Sequence, residues 1–295
     1  MNERVTWLLP VKNGMPYLPE TLASIEAQTY PNWEVLAWDN GSTDGTVEEL
    51  HKWIPSRLPG RVITGQPLGL GGCRAAMVEQ CETEFCAIID ADDINVPERL
   101  EKQVAFLLAH PDVAVVGSKM YCVDRHGVKQ GLFHWLPLEH DDIVHFMLHS
   151  NGIAQPSVLF RRSAVLQAGN YREMGPDNVE DYDLWLRVAI YHKLANLDVP
   201  LVYYRIHDKS TTQMTIAQNR LAQVTDERFC KNAPLLYGCS ESDARLLRQK
   251  KHPYALFVLF QIARHLQRTQ NGRLIDRLTS KSFLRACKNL MLSRT

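Results

Sequence analysis

Short apolar runs alternate with helically spaced apolar positions through about the first 90 residues. Residues 5–11 are apolar, contain Pro10 and stop at Lys12-Asn13-Gly14, as expected of a buried parallel strand. Leu18, Leu22 and Ile25 then recur at helical spacing over 18–28. A second strand is predicted over 33–38. It runs into Asp39-Asn40-Gly41-Ser42-Thr43-Asp44-Gly45-Thr46, turn formers among which Ser42, Thr43 or Asp44 could cap a helix continuing through Trp53. Residues 62–64 read as a third strand, Gly69-Leu70-Gly71-Gly72 opens a helix through Cys81, and 85–89 form a fourth strand ending at Asp90. This alternation predicts an α/β fold with a mainly parallel sheet and helices on both faces. Ligands bind at the carboxyl ends of such strands. The polar loops holding Asn13, residues 39–44 and residues 90–93 should therefore gather along one edge.

The second half is less regular. Residues 113–116 and 157–160 read as strands, 183–192 as a helix and 201–207 as a closing strand; beyond about residue 215 the pattern turns helical and basic. The 295 residues suit one α/β domain of roughly 200 to 250 residues with an appendage. We divide them into 1–214, with parts at about 1–117 and 118–214, and an extension over 215–295. Lysine plus arginine (33) equals aspartate plus glutamate (33), so the charge balance gives no support to a dedicated nucleic-acid binder. The balance hides an asymmetry, since from Ala244 onward twelve lysines and arginines face one acid, Asp276. Within the tail, the apolar stretch 254–262 precedes Arg264, His265 and Arg268. It reads either as a terminal helix with a solvated basic face or as a peripheral contact with anionic lipid. That stretch is about half of the roughly 20 residues that would cross a bilayer. Seven cysteines, with no C-x-x-C pair, suggest reduced thiols in a cytoplasmic protein. No secretory leader is expected before the first strand.

The most informative segment is the apolar strand ending in Asp90-Ala91-Asp92-Asp93. Three carboxylates in four residues repel one another. A magnesium or manganese ion held with substrate phosphates would offset that cost; the alternative is a helix-capping turn before Pro97. A dinucleotide-binding oxidoreductase is disfavoured, because no G-x-G-x-x-G follows the first strand.

Taken in order, the motifs resemble the family-2 glycosyltransferases over roughly residues 4–210. They are Leu9-Pro10-Val11-Lys12-Asn13-Gly14, Ser24-Ile25 through Gln28-Thr29-Tyr30, and residues 39–46 as quoted. Leu68-Gly69-Leu70 with Arg74 follows, then Asp90-Ala91-Asp92-Asp93 with Pro97 and Arg99-Leu100. The series closes with Glu180-Asp181-Tyr182-Asp183-Leu184-Trp185-Leu186-Arg187 and Tyr204-Arg205-Ile206-His207. Lys12, where the family often has an aromatic residue, and Ala75, where it often has asparagine, depart from the pattern. The resemblance implies a GT-A fold (Rossmann-like, mixed but mainly parallel) with a donor-binding part over about 1–117 and an acceptor side over about 118–214. It further implies a metal-dependent, inverting transferase of cell-surface polysaccharide or glycolipid synthesis. The donor would be a nucleotide-diphosphate sugar, with UDP favoured, and the acceptor a glycan or lipid-linked hydroxyl. Pro10 and Val11 would meet the base through their backbone, beside Asn13; Asp39 would bond the uracil-type ring, and Arg74 the nucleotide. Asp90, Ala91 and Asp92 would approach the ribose and the cation. Asp181 would be the catalytic base, with Glu180 orienting a sugar.

Several residues keep two readings. Glu180, Asp181 and Asp183 also suit the positive end of a helix. His207 is either a third metal ligand or a loop histidine. Trp185 reads as core rather than sugar platform, and His134, His140, His145 and His149 as acceptor-side loop residues at most. A catalytically silent sugar-nucleotide or glycan-binding module is the competing function.

Overall fold

In the computed structural model, residues 3–133, 136–148, 150–174, 179–208, 210 and 221–248 are described. The strands are β1 (Val5–Val11), β2 (Trp33–Asp39), β3 (Gly60–Thr64), β4 (Phe85–Ile88), β5 (Ile94–Asn95), β6 (Val113–Val123), β7 (Lys129–Phe133), β8 (Leu159–Arg161) and β9 (Lys193–Arg205). Those through β4 match the predicted ones to within a few residues. The helices are α1 (Leu18–Glu26), α2 (Thr46–Trp53), α3 (Leu70–Gln80), α4 (Arg99–Ala109), α5 (His140–Phe146), α6 (Arg162–Gln167), α7 (Glu180–Val188), α8 (Leu221–Tyr237) and α9 (Glu241–Arg248).

One sheet runs β3-β2-β1-β4-β8-β6-β9-β5, with β7 paired to β6. β3, β2, β1 and β4 are mutually parallel, as the alternation predicts. β8 lies antiparallel to both β4 and β6, and β9 is parallel to β6. Hence β1, β2, β3, β4, β6 and β9 all point one way, and their carboxyl ends share an edge. His207, just beyond β9, therefore lies at the same edge as Asp90, just beyond β4.

β1 is buried on both faces, so its residues serve two apolar layers. Leu8 packs in one cluster with residues of α3, α5, α6, α7 and α8. Val5, Trp7, Leu9 and Val11 pack in another with α1, α2 and α4. That explains why its run is apolar but for Thr6, whose hydroxyl bonds Glu34 and Thr83.

Several expectations need correction. The strand predicted over 157–160 is present as β8, shifted to Leu159–Arg161 and antiparallel to its neighbours, while Ser157 closes a short 3-10 turn (Gln155–Ser157). The helix expected over 183–192 starts earlier, at Glu180, and the closing strand starts at Lys193. The extension is not a separate appendage over its described part. Phe229, Cys230, Ala233, Leu236 and Tyr237 of α8 share the core cluster of Leu8 and Trp185. His140 and His145 lie in α5 rather than in a loop, and His140 Nδ1 accepts the Leu194 N–H at 3.2 Å. His134, His149 and the basic tail from 249 onward, including 254–262, lie outside the described residues. No helix among the described residues is long and apolar enough to cross a membrane. Trp185 is fully buried, as read from the sequence.

Candidate active site

The first two strand-end loops are tied together. Asn13, in the left-handed region at φ 54°, donates its N–H to Ser42 Oγ (2.8 Å) and accepts the Thr43 N–H (2.9 Å). Gly14 N–H reaches Thr46 Oγ1, Met15 N–H reaches Asp44, and Asn40 N–H bonds the Val11 carbonyl. Asp39, buried, accepts N–H bonds from Gly41 and Ser42. Of the three cap candidates, Asp44 bonds the start of α2 through Thr46. Pro10 and Val11 lie buried at the end of β1, so their backbone reaches this loop pair.

The acidic loop is pinned from beneath. Thr21 Oγ1 on α1 donates toward the carbonyls of Ala91 (3.0 Å) and Asp93 (2.8 Å). A Cβ on Gly14 would stand 3.5 Å from that of Ala91, so the β1 loop packs directly on it. Arg99, fully buried, donates to the carbonyls of Ile88, Pro156 and Val158, fastening the end of β4 to β8.

The three aspartates separate according to their partners. Asp93 turns inward; its Oδ1 accepts the Arg205 N–H at 2.8 Å, and burial pushes its carboxyl far up. Asp90 pairs with Arg74 Nη2 at 2.7 Å. Asp92, half-buried, faces His207, with Oδ2 and Nε2 2.8 Å apart. His207 also lines an open cavity of ≈ 440 Å³ with Asp124, Arg125, His126, Ile206 and Asp208. The repulsion noted in the sequence is thus relieved partly by the pairing of Asp90 with Arg74 and partly by the turning of Asp93 inward, away from the edge.

Arg74, 3% exposed, bridges the sheet edge to α7, with one Nη on Asp90 and the other on Glu180. α3 brings it there because glycines let the helix start press on residues 172–173. A Cβ on Gly71 would lie 1.9 Å from the Arg172 carbonyl oxygen, and Gly72 N–H bonds Glu173 at 3.0 Å. Glu180 Oε2 is buried with no hydrogen-bond partner among the described residues.

Next to it stands Asp181. Its Oδ1 accepts the Tyr182 N–H (2.7 Å) and its Oδ2 the Asn151 side-chain N–H (2.9 Å). Burial first, and then the Glu180 charge, push its carboxyl up to about 7, against the opposing pull of Arg74. A carboxyl poised there exchanges a proton readily at neutral pH. Among the described residues no arginine or lysine forms a salt bridge with Asp92 or Asp181, and Arg74 joins Asp90, two positions before Asp92, to Glu180, the neighbour of Asp181.

The carboxyl-terminal helices brace α7. Asp183, fully buried, pairs with Arg187 and accepts from Asn232 of α8 at 2.8 Å. Arg248 of α9 donates to the Tyr182 hydroxyl at 2.6 Å, and that hydroxyl donates to the Met147 carbonyl. Asn151, Asn232 and Arg248 escaped the sequence reading, because lone polar residues outside any periodic pattern give no signal until the fold meets them.

Two side-chain donors, Asp92 and His207, suit a divalent cation that takes its remaining ligands from phosphates and water. No cluster of three or more potential ligand side chains occurs among the described residues.

The family described as "Glycosyl transferase family 2" matches residues 6–168. The amylovoran biosynthesis glycosyltransferase AmsE of Erwinia amylovora is 34% identical over 194 residues, covering 64% of this chain and 70% of that protein. The O-antigen biosynthesis glycosyltransferase WbnJ of Escherichia coli is 29% identical over 239 residues, covering 78% and 90%. S. aureus TarS 1-349, solved in complex with UDP-GlcNAc, superposes with TM-score 0.61 at 19% identity, over 90% of this chain and 81% of that one. The mannosyltransferase PcManGT from Pyrobaculum calidifontis, in complex with GDP-Man and Mn2+, gives TM-score 0.61 at 18% identity, over 99% and 83%. These two structures share the GT-A fold with this chain.

Proposed function

The chain belongs to the family-2 glycosyltransferases, and on that premise we propose that it transfers a sugar from a nucleotide-diphosphate donor to an acceptor hydroxyl with inversion. Asp181 is the base in this reading. It takes the acceptor proton as the oxygen attacks the anomeric carbon and the nucleoside diphosphate departs from the opposite side. An α-linked donor then yields a β-linked product. Asp92 and His207 would hold a magnesium or manganese ion, which would supply positive charge to a diphosphate leaving group. Asp39, Asn13 and the backbone of Pro10 and Val11 cradle the nucleoside. Arg74 keeps Asp90 and Glu180 at fixed separation from Asp181. The donor is a UDP-sugar, and the product belongs to a cell-surface polysaccharide, as the names of AmsE and WbnJ suggest for those relatives.

The observation that carries this reading is the geometry around the half-buried Asp181, whose two oxygens are each held by one hydrogen bond and whose neighbour Glu180 is joined through Arg74 to Asp90 at the acidic strand end. Its test is nucleoside-diphosphate release from UDP-glucose, UDP-galactose, UDP-N-acetylglucosamine and GDP-mannose with manganese or magnesium, in wild type and Asp181→Asn. Release by wild type alone supports it. Donor binding by both with release by neither, even to water, would leave a binding module.

A further inference from the structure

We propose that Asn151 is the positioning residue of the reaction, orienting the Asp181 carboxylate for proton transfer. The inference rests on Asp181 being the base. Asn151 stands in the loop between α5 and the Gln155–Ser157 turn, 30 positions from Asp181 in the chain. Its amide has a fixed sense. Oδ1 accepts the Ile153 N–H at 3.1 Å, so the NH₂ end must be the one that meets Asp181 Oδ2 at 2.9 Å. A main-chain N–H at one end and a carboxylate at the other leave no room for the flipped amide, which would set two donors against each other at Ile153 and two acceptors at Asp181.

The anchor matters because of what Asp181 otherwise has. Tyr182 N–H holds Oδ1, at the first turn of α7. The charged and titratable groups acting on it are Glu180 on the same helix, Arg74 from α3, Asp90 beyond β4, and Tyr171. Glu180 and Asp90 oppose its ionisation. Arg74 favours ionisation but is committed to those same two carboxylates. Among the described residues, Asn151 is the one side chain that donates a hydrogen bond to Asp181. With each oxygen held once, the plane of the carboxylate is set. One lone-pair site on each oxygen is left for the acceptor hydroxyl. Losing the amide would free the plane and remove a bond that favours the anion.

The test reads Asp181 directly, without needing the natural acceptor. Protein labelled with ¹³Cγ-aspartate is titrated by NMR, and the Asp181 signal is identified by its disappearance in Asp181→Asn. Asn151→Ala should raise the midpoint by about 1 pH unit. Asn151→Asp keeps the shape and the Ile153 bond but sets a second carboxylate against Asp181, and should raise it further. In parallel, the acid limb of donor turnover, measured with UDP-N-acetylglucosamine or GDP-mannose, should move by the same amounts and in the same order. Activity lost below neutrality should then recover in alkali. A merely structural role would lower turnover equally at every pH. An Asp181 midpoint unmoved in both variants overturns the inference. A midpoint that moves while turnover keeps its pH dependence removes Asp181 as the base, and Asn151's part in the reaction goes with it.

Discussion

In the proposed function Asp181 is the residue on which the chemistry turns, and its environment then sets a pH dependence with a definite sign. Burial and Glu180 raise its pKa to about 7, so the base form grows as pH rises through neutrality and is lost below it. Turnover with saturating donor should therefore climb about fivefold between pH 6 and pH 7 and about twofold more before it levels off, as a carboxyl midpoint in this range requires. Asp181→Asn should abolish that limb and reduce turnover by about 10²–10⁴-fold, with donor affinity measured by calorimetry little changed. Much at this scale was legible in the chain. A strand-end aspartate announces itself by the apolar run before it, which is how Asp39, Asp90 and Asp92 were found. What was not legible was division of labour: nothing in Asp90-Ala91-Asp92-Asp93 says that one carboxylate meets an arginine, one a histidine, and one the interior. Those partners, Arg74, His207 and Arg205, arrive from far along the chain.

At the level of elements, two joints hold the site together. The first is the close seating of α3 on residues 172–173. Gly71→Ala would drive a methyl group into the Arg172 carbonyl oxygen, a backbone atom that cannot swing aside. The helix start must lift, and Arg74 moves with it. We expect a loss of about 1–3 kcal/mol in stability by denaturant unfolding, typical of overpacking, together with turnover reduced more than the stability loss explains. The second joint is the brace of α8 and α9 on α7. Asn232→Ala deprives the fully buried Asp183 of a donor. That should cost about 1–3 kcal/mol, read as a lowered melting temperature with the secondary structure intact by circular dichroism. Cutting the chain after Gln213 removes Phe229, Ala233 and Tyr237 from the core, and should yield aggregated protein rather than a smaller active enzyme. Parallel strands and their helices could be read from apolar periodicity. The antiparallel sense of β8, the hairpin strand β7 and the brace could not. Short strands carry few residues of pattern, and Asn232 bonds Asp183 across 49 positions.

Over the whole molecule, six strands pointing one way bring the donor side, the acidic loop and His207 to one edge. On the proposed function, the two protein donors alone would make a weak cation site that a diphosphate would complete. Manganese together with UDP should therefore raise the melting temperature by about 5 °C or more, the size expected of ligand at roughly 100 times its dissociation constant. Either one alone should shift it far less, and EDTA should reverse the joint effect and stop turnover. The three-layer arrangement was implied by the alternation of the first half; the sharing of one core by residues 8 and 237 was not. That sharing bears on anyone who would graft new acceptor preferences onto this scaffold. A hybrid that borrows α7 from one parent and α8–α9 from another would set Asp183 and Tyr182 against strangers. Exchanges should therefore move these three helices as a single cassette, leaving the nucleotide-holding half behind.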